Sequence, residues 1–377
     1  MVKISVIVPV YNTQKYLNEC LNSLINQTFQ DIEIICINDG STDDSLEVLN
    51  EFSKKDNRIK IVTQKNSGLS ASRNHGIELS KGEYIYFIDS DDYIELNTLK
   101  ELYDISIENS CDLIIFKLIN FYDDNYEKFT STYYEMNFLE HFRNKLFNYK
   151  EVGDKFCDVA VSAPGKFFKK ELIADLRFPE GLIFEDNLFF AKAIIKTKNI
   201  YFYDKHLYNR RIRKNSITQK FDIKYADVII ILNEIIELTK KSNLYEMYGR
   251  KLLEKKMGRI FVRFSEVSDE YKEEFFNLIK KDFENHKVEY ENDSIFCNEL
   301  DNRSKYIFYS ALNSNSYMEF FYKIQLFDSK NKLNRLEKDN EHLKKKISNL
   351  NKSNDQIFSS RSWKITKPLR AFTNLFR

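Results

Sequence analysis

Three carboxylates within four positions follow an apolar run in the stretch YIYFIDSDDYI, residues 84–94. The run predicts a buried strand, so Asp89, Asp91 and Asp92 stand at a strand end, where desolvation and mutual repulsion disfavour ionised carboxyl groups. A bound cation relieves both costs. Carboxylate oxygens together with a nucleotide diphosphate suit Mg²⁺ or Mn²⁺. We expect Asp91 to ligate the metal directly, with Asp89 and Asp92 at a ribose or at the metal's waters.

A second polar cluster, NDGSTDD at residues 38–44, has two interpretations. Taken alone, it is a turn at Gly40 followed by a helix capped by Ser41. Alternatively, Asp39 ends a predicted strand, where its carboxylate would accept the N3–H of a uracil. In that case Arg73 is a suitable donor to a carbonyl of the same base. The second interpretation predicts a nucleotide site.

Glu185 and Asp186 begin the apolar helical segment EDNLFFAKAII. Acidic residues in a first turn stabilise the helix dipole, but such a carboxylate can also act as a general base towards a sugar hydroxyl. A later segment, YNRRIRKNSIT, carries four cations: Arg210, Arg211, Arg213 and Lys214. This segment is either a solvated charge run or a cluster that folds over a diphosphate and stabilises the leaving group.

The elements that must position these side chains alternate between strand and helix. The strand-like runs ISVIVPV, IEIICI, IKIVTQ and YIYFID are separated by three helical patterns. We expect the first helix after a Thr13 cap, the second from Ser41, and the third to be closed by Gly82. This order predicts an α/β fold with a doubly wound, mostly parallel sheet, in which ligands bind at the carboxyl ends of the strands. No strand is followed by G-x-G-x-x-G or a P-loop, which disfavours dinucleotide oxidoreductases and P-loop NTPases.

The composition excludes further classes of protein. A net charge of +1 over 377 residues gives no global attraction to nucleic acid. The five cysteines are scattered without a C-x-x-C pair, which argues against a disulfide framework and a zinc site. Three of them fall in apolar patterns and are expected to be inert core thiols. No apolar run reaches the roughly 18 residues of a membrane span, so we expect a cytoplasmic protein, peripheral at the cytoplasmic membrane face.

Six motifs together resemble those of the family 2 glycosyltransferases with a GT-A fold. In chain order they are SVIVPVYN, INDGSTDDS, NSGLSASRNHGI, GEYIYFIDSDD, GLIFEDNLF and YNRRIRKNSIT, within about residues 1–220. The chain looks like the bacterial or archaeal type that builds surface polysaccharides. The resemblance implies an inverting enzyme, dependent on Mg²⁺ or Mn²⁺, that moves a sugar from a nucleotide-sugar donor, expected to be a UDP-sugar, to a hydroxyl of a glycan or lipid-linked acceptor. Asn38 and Gly165 stand where many members have Asp and Asn.

The resemblance also implies roles for single residues. It makes Asp186, with Glu185 beside it, the catalytic pair. It assigns the metal to Asp91, Asp89 and Asp92. The implied nucleotide-binding residues are Pro9, Tyr11, Asn12, Asp39, Asn66, Arg73, Asp89, Ser90, Arg211 and Arg213. Two alternatives stay open: a polyprenyl-phosphate glycosyltransferase with the same fold, and a catalytically silent scaffold that binds nucleotide.

From about residue 222 the pattern becomes helical and carries no catalytic motif. We therefore expect a GT-A domain over 1–221, a helical domain over 222–325, a coiled-coil-like helix over 326–358 and a basic aromatic tail over 359–377. Positions three and four apart form a heptad seam: Leu333, Leu336, Asn340, Leu343, Ile347, Leu350, Asn354 and Ile357. Asn at two a positions favours a parallel homodimer, although one amphipathic helix lying on its own protein gives the same pattern.

The tail has five Lys or Arg, no acid, and the aromatic residues Trp363, Phe372 and Phe376. Such a segment suits the surface of an anionic membrane, while a disordered tail is the simpler alternative. Nucleic acid is not an expected partner, because the neutral body offers no basic face.

Overall fold

A computed structural model describes residues 1–213 and 221–365. Its contacts divide the chain into two units, Met1–Leu312 and a second from Asn313 onward. The strands are β1 (Ile4–Val10), β2 (Ile32–Asn38), β3 (Ile59–Thr63), β4 (Tyr84–Phe87), β5 (Tyr93–Ile94), β6 (Leu113–Tyr122), β7 (Lys128–Phe129), β8 (Leu146–Phe147), β9 (Lys166–Lys169) and β10 (Ile200–Ile212). The helices of the first unit are α1 (Gln14–Ile25), α2 (Ser45–Lys55), α3 (Leu69–Leu79), α4 (Thr98–Asn109), α5 (Thr132–Glu135), α6 (Tyr149–Val152), α7 (Lys170–Ile173), α8 (Glu185–Lys196), α9 (Asp227–Lys241), α10 (Tyr245–Glu266), α11 (Lys272–Asn292) and α12 (Asn302–Leu312).

The strands of the first unit form one mixed sheet in the order β3-β2-β1-β4-β9-β6-β10-β5, with β7 beside β6 and β8 beside β10. β1 to β4 pair in parallel, as do β6 and β10, while β9 runs antiparallel between β4 and β6. Every residue of β1 and β2 is buried, as expected for strands covered by helices on both faces. The predicted α/β fold with a predominantly parallel sheet is confirmed.

The register of the parallel strands decides where the polar loops lie. Ile4 pairs with both Ile32 and Tyr84, and Val10 pairs with Asn38. The carboxyl ends of β1, β2 and β4 are therefore neighbours. The loops that follow them, together with the loop after β3, line one edge of the sheet.

Two predicted helix boundaries and one predicted capping bond were wrong. α2 begins at Ser45 behind Asp44 rather than at Ser41. Thr13 does precede α1, but its side chain bonds Ser90 instead of capping the helix, with 2.9 Å between the hydroxyl oxygens. α3 ends at Leu79, before Gly82. Gly82 is instead required by close packing, because a Cβ there would lie 2.5 Å from the backbone nitrogen of Ser5.

A second glycine fixes the position of α3 on the sheet. A Cβ on Gly76 would lie only 2.3 Å from Cγ2 of Ile7 on β1. Contacts this short do not occur between real side chains, so α3 can lie this close to β1 only with glycine at that position.

Four helices, α9 to α12, complete the first unit. Their core holds a buried ion pair between Lys256 on α10 and Asp282 on α11, 2.6 Å apart, and the same ammonium lies 2.9 Å from the Tyr290 hydroxyl. Cys20, Cys36 and Cys111 are buried free thiols, as predicted for core cysteines.

The second unit contains α13 (Tyr317–Ser359) and α14 (Arg361–Ile365). Ser316 caps α13 by accepting from the Glu319 backbone at 3.3 Å. The apolar seam residues, from Leu333 to Ile357, are between 50 and 57% exposed along one unbroken helix. Phe372, Phe376 and the rest of the tail after Ile365 lie outside the described residues, and the four domain boundaries stay predictions. Within residues 1–213 and 221–365, no helix is both long and apolar enough to cross a bilayer.

Candidate active site

The loops at the carboxyl edge of the sheet are bound to one another by side chains. Asn12, in the left-handed region with φ of 52°, accepts from the Thr42 backbone at 2.8 Å. Thr13 and Ser90 join the loops after β1 and β4. Of the predicted nucleotide-binding residues in these loops, Pro9 and Ser90 are buried, whereas Tyr11 and Asn66 are exposed. The edge thus combines loops that are held in place with exposed side chains that a ligand can contact.

Asp39 is buried at the end of β2 and organises the loop after β3. One carboxylate oxygen accepts from the Ser67 backbone at 2.9 Å and from the Gln64 amide at 2.8 Å. The other accepts from the Gly68 backbone at 2.8 Å. These bonds hold the loop that enters α3.

The three acids after β4 have different surroundings. Asp92 is buried, and its two oxygens accept from the Tyr208 hydroxyl at 2.5 Å and from the Arg211 backbone at 2.7 Å. Each oxygen therefore already accepts one bond from the protein, and the role of Asp92 at a ribose or at the metal's waters stays a prediction. Asp91 and Asp89 are each paired with an arginine and are partly exposed.

Arg73 on α3 lies at the centre of a buried acidic cluster. Its guanidinium is 2.8 Å from Asp186, 2.9 Å from Glu185 and 3.0 Å from Asp89. The side chain is 2% exposed and packs over the Phe178 ring. Arg73 thus neutralises the acids after β4 and at the start of α8, while its Nε has no hydrogen-bond partner among the described residues. The contact of Arg73 with a nucleotide base stays a prediction.

Arg210 and Arg211 lie within a strand, and Arg213 follows its end. β10 continues through Ile212, with register irregularities between Tyr203 and Tyr208. Arg211 is buried, bonds the Asp91 carbonyl at 2.8 Å and pairs with Asp123 and Glu19. These partners surround the guanidinium, and the contact of Arg211 with the nucleotide stays a prediction. Arg213 lies 2.6 Å from an Asp91 carboxylate oxygen. Lys214 lies outside the described residues.

Burial governs the ionisation of the acids beside Arg73. It raises the pKa of Glu185 and of Asp186, and the Arg73 charge acts in the opposite direction on both. Asp186 accepts from the Ala163 backbone at 3.3 Å, so its second oxygen is directed at the loop that precedes β9. Glu185 and Asp186 therefore stay beside one cation at the first turn of α8.

Sequence reasoning missed two groups that shape the site. Tyr208 joins Asp92 to the backbone of Asp89, and its place on a strand beside the arginines was the available signal. Lys166 is 1% exposed, bonds the Ala160 carbonyl at 2.5 Å, and burial lowers its pKa to about 7. It holds the segment that carries Ala163 towards Asp186.

Comparisons with known proteins point to one family. The family described as “Glycosyl transferase family 2” matches residues 5–168. Glycosyltransferase GlyG of Streptococcus pneumoniae is 36% identical over 62% of this chain and 79% of its own length. Glycosyltransferase GlyA of the same organism is 37% identical over 60% of this chain, but the match spans only 33% of GlyA. Poly(ribitol-phosphate) beta-glucosyltransferase of Bacillus spizizenii is 31% identical over 74% of this chain and 44% of its own length.

The fold is also that of a solved structure, S. aureus TarS 1-349 in complex with UDP-GlcNAc. The two agree with a TM-score of 0.65 at 23% identity, over 87% of this chain and 92% of that one. At this identity the likeness concerns the fold.

Proposed function

Because the chain belongs to the family 2 glycosyltransferases, we propose that it transfers a sugar with inversion from a UDP-sugar to a hydroxyl of a surface glycan or its lipid-linked precursor. The observation that carries the proposal is the junction of two acidic elements at the sheet edge. Asp89 and Asp91 follow β4, Glu185 and Asp186 begin α8, and Arg73 binds members of both pairs.

The donor half of the site consists of the loops after β1 to β4. Tyr11 and Asn66 are exposed and thus available to a nucleotide, and Asp39 holds the backbone of the loop after β3 in place. No group of three or more candidate metal-ligating side chains converges within residues 1–213 and 221–365. Asp91 and Asp89 nevertheless offer carboxylate oxygens. Together with the oxygens of the donor's diphosphate, these would coordinate a divalent cation. A bound Mg²⁺ or Mn²⁺ would neutralise the leaving diphosphate.

Asp186 is the proposed base in a single displacement. It takes the proton of the acceptor hydroxyl as that oxygen attacks the anomeric carbon. The bond between this carbon and the diphosphate oxygen breaks, and the electron pair leaves with UDP. Arg213, beside Asp91, is placed to receive part of the developing charge.

The acceptor class is supported by similar proteins. One is named a poly(ribitol-phosphate) beta-glucosyltransferase. We extend from it only the general class, a hydroxyl on a bacterial envelope polymer or its precursor.

Turnover of a panel of UDP-sugars by the purified protein tests the proposal. We expect metal-stimulated release of UDP from at least one donor, with loss of the stimulation in EDTA. UDP binding without release from any donor, in the presence of a cell-envelope extract as acceptor source, would instead identify the silent scaffold.

We further propose that α13 forms a parallel, in-register homodimer. Leu333, Asn340, Ile347 and Asn354 occupy a positions, and Leu336, Leu343, Leu350 and Ile357 occupy d positions. Each Asn meets its own copy only in a parallel pair in register. The same arrangement places Lys332 opposite Glu337 of the second copy, and Asp339 opposite Lys344, so both flanking pairs attract.

The dimer would also present two copies of the tail to a membrane. Five cations each contribute about 1 kcal/mol near an anionic surface, and two linked tails bind more tightly than one. We therefore propose peripheral attachment at the cytoplasmic membrane face.

Charge reversal tests the dimer and the tail together. The variant Glu337→Lys with Asp339→Lys turns four attractive interhelical pairs into repulsive ones, and we expect association to weaken roughly 100-fold. Its complement, Lys332→Glu with Lys344→Glu, should also be monomeric, and an equimolar mixture of the two should dimerise. Analytical ultracentrifugation measures the association state. A charge-reversed variant that remains dimeric on its own contradicts the proposed dimer.

Vesicle sedimentation with the same proteins examines the membrane contact. The monomeric variants should bind anionic vesicles more weakly than the dimer, and deletion of residues 361–377 should abolish binding. If the shortened chain sediments with vesicles like the full chain, the tail is not the anchor.

A further inference from the structure

A cavity of about 100 Å³ lies between α8, α9 and α10 in the first unit. Its walls are mostly apolar and include Phe190, Ile194, Leu232, Ile235 and Leu252. Asn187, the neighbour of Asp186 in the chain, lines the same cavity. The cavity therefore runs along α8 from the helix turn that carries the catalytic carboxylates.

Two cations one helical turn apart on α10, Lys255 and Arg259, also line this cavity. Lys255 lies 3.3 Å from Asp158, which it shares with Lys251 at 3.0 Å. Over residues 1–213 and 221–365, Arg259 makes no hydrogen bond or ion pair. Burial and the Arg259 charge lower the pKa of Lys255. The cavity wall thus carries positive charge that the described side chains leave uncompensated.

The cationic end of the cavity is the end next to the catalytic site. Burial raises the pKa of Tyr133, and the Asp186 charge raises it while the Arg259 charge lowers it, so both charges lie near this phenol. The phenol oxygen accepts from the Val161 backbone at 2.9 Å. Val161 lines the cavity, and Ala163, two residues on, donates to Asp186. An anion held by Arg259 would therefore lie near the proposed base.

Apolar walls together with a net positive charge select one class of ligand. A glycan would lose water from its hydroxyl groups against these walls without gaining partners, whereas a hydrocarbon chain gains from burial. We propose that the cavity binds the phosphate end of a phosphorylated lipid, with the first carbons of the chain along α8 and the phosphate against Arg259 and Lys255. A volume of about 100 Å³ leaves the rest of the chain outside the cavity. A sugar linked to that phosphate then presents its hydroxyl to Asp186. The proposal rests on the proposed function in taking Asp186 as the base.

Calorimetry on the full-length protein tests this without requiring turnover. The titrants are decyl phosphate below its micelle concentration, decanol and inorganic phosphate, and we expect decyl phosphate to bind at least about tenfold more tightly than either of the others. Arg259→Gln should weaken decyl phosphate binding about tenfold or more, since it removes a charged donor. Ala191→Phe, which fills the cavity, should do the same. The matched control is Lys287→Gln, an exposed cation on α11 outside the cavity.

Each contrary result has a definite meaning. Equal affinity for decyl phosphate and inorganic phosphate overturns the apolar part of the site, and equal affinity for decanol overturns the anionic part. Unchanged binding by Arg259→Gln also rejects the proposal, even where Ala191→Phe fails to fold. UDP titration of the same samples separates the two hypotheses: normal UDP binding without lipid binding rejects this inference alone, and absent donor turnover rejects the proposed function.

Discussion

Replacing Asp186 with Asn is expected to lower kcat by about 10²–10⁴-fold, the usual effect of losing a positioned general base. Asn keeps the size of the side chain and can still accept from the Ala163 backbone, but it cannot take the acceptor proton. Donor affinity should stay close to that of the unaltered protein, because Asp186 begins α8 and lies outside the loops that follow β1 to β4. Steady-state kinetics with calorimetric UDP titration separates these two effects.

Glu185→Gln is the matched control, since Glu185 shares the same Arg73 nitrogen. We expect a smaller loss of kcat from it. A far larger loss from Glu185→Gln than from Asp186→Asn would exchange the two roles.

The pH profile provides a second check on the base. The base must be ionised to accept a proton, and burial raises the pKa of Asp186. Activity should therefore fall as pH drops through this raised pKa, so the acid limb of kcat/KM should lie above the ordinary Asp value of about 3.9. In Asp186→Asn the residual activity should lose this limb.

Replacing Asp91 with Asn is expected to remove metal-dependent UDP binding together with turnover. The uncharged amide is a much weaker ligand for a hard divalent cation than a carboxylate. It also leaves Arg213 without its partner at 2.6 Å. UDP affinity of the variant in Mn²⁺ should therefore equal that of the unaltered protein in EDTA.

Asp31→Asn is a suitable control for the loss of one negative charge, because Asp31 is exposed and immediately precedes β2, at the opposite end of that strand from Asp39. If calorimetry finds UDP binding in Mn²⁺ unchanged by Asp91→Asn, Asp91 does not hold the cation. The partly exposed Asp89 is then the first residue to test in its place.

What the sequence predicted well was local. β1 matches the run ISVIVPV, and Asp39, Asp89 and Asp91 all follow strands whose ends the apolar patterns mark. Their convergence follows from parallel pairing alone. The motif order also led to the correct family.

What the sequence missed depends on distant contacts. The sequence carries no sign of the acidic partners of Arg73, because they lie 16, 112 and 113 positions away along the chain. The sequence predicts that Arg211 follows a strand, because the strand-like pattern breaks near Asp204, whereas the paired strand continues to Ile212. Pairing with β6 extends β10 beyond its own propensity.

The close approach of α3 to β1 has a consequence for how mutations in this protein would be interpreted. Gly76 touches Ile7 and lies one turn beyond Arg73 on the same helix. Even one methyl group there would push the helix away from the strand, and the guanidinium would move with it from its three carboxylates. A mutational scan scored by growth alone would therefore rank position 76 with the catalytic residues. Its sensitivity would report the spacing of two backbones rather than any chemistry at that position.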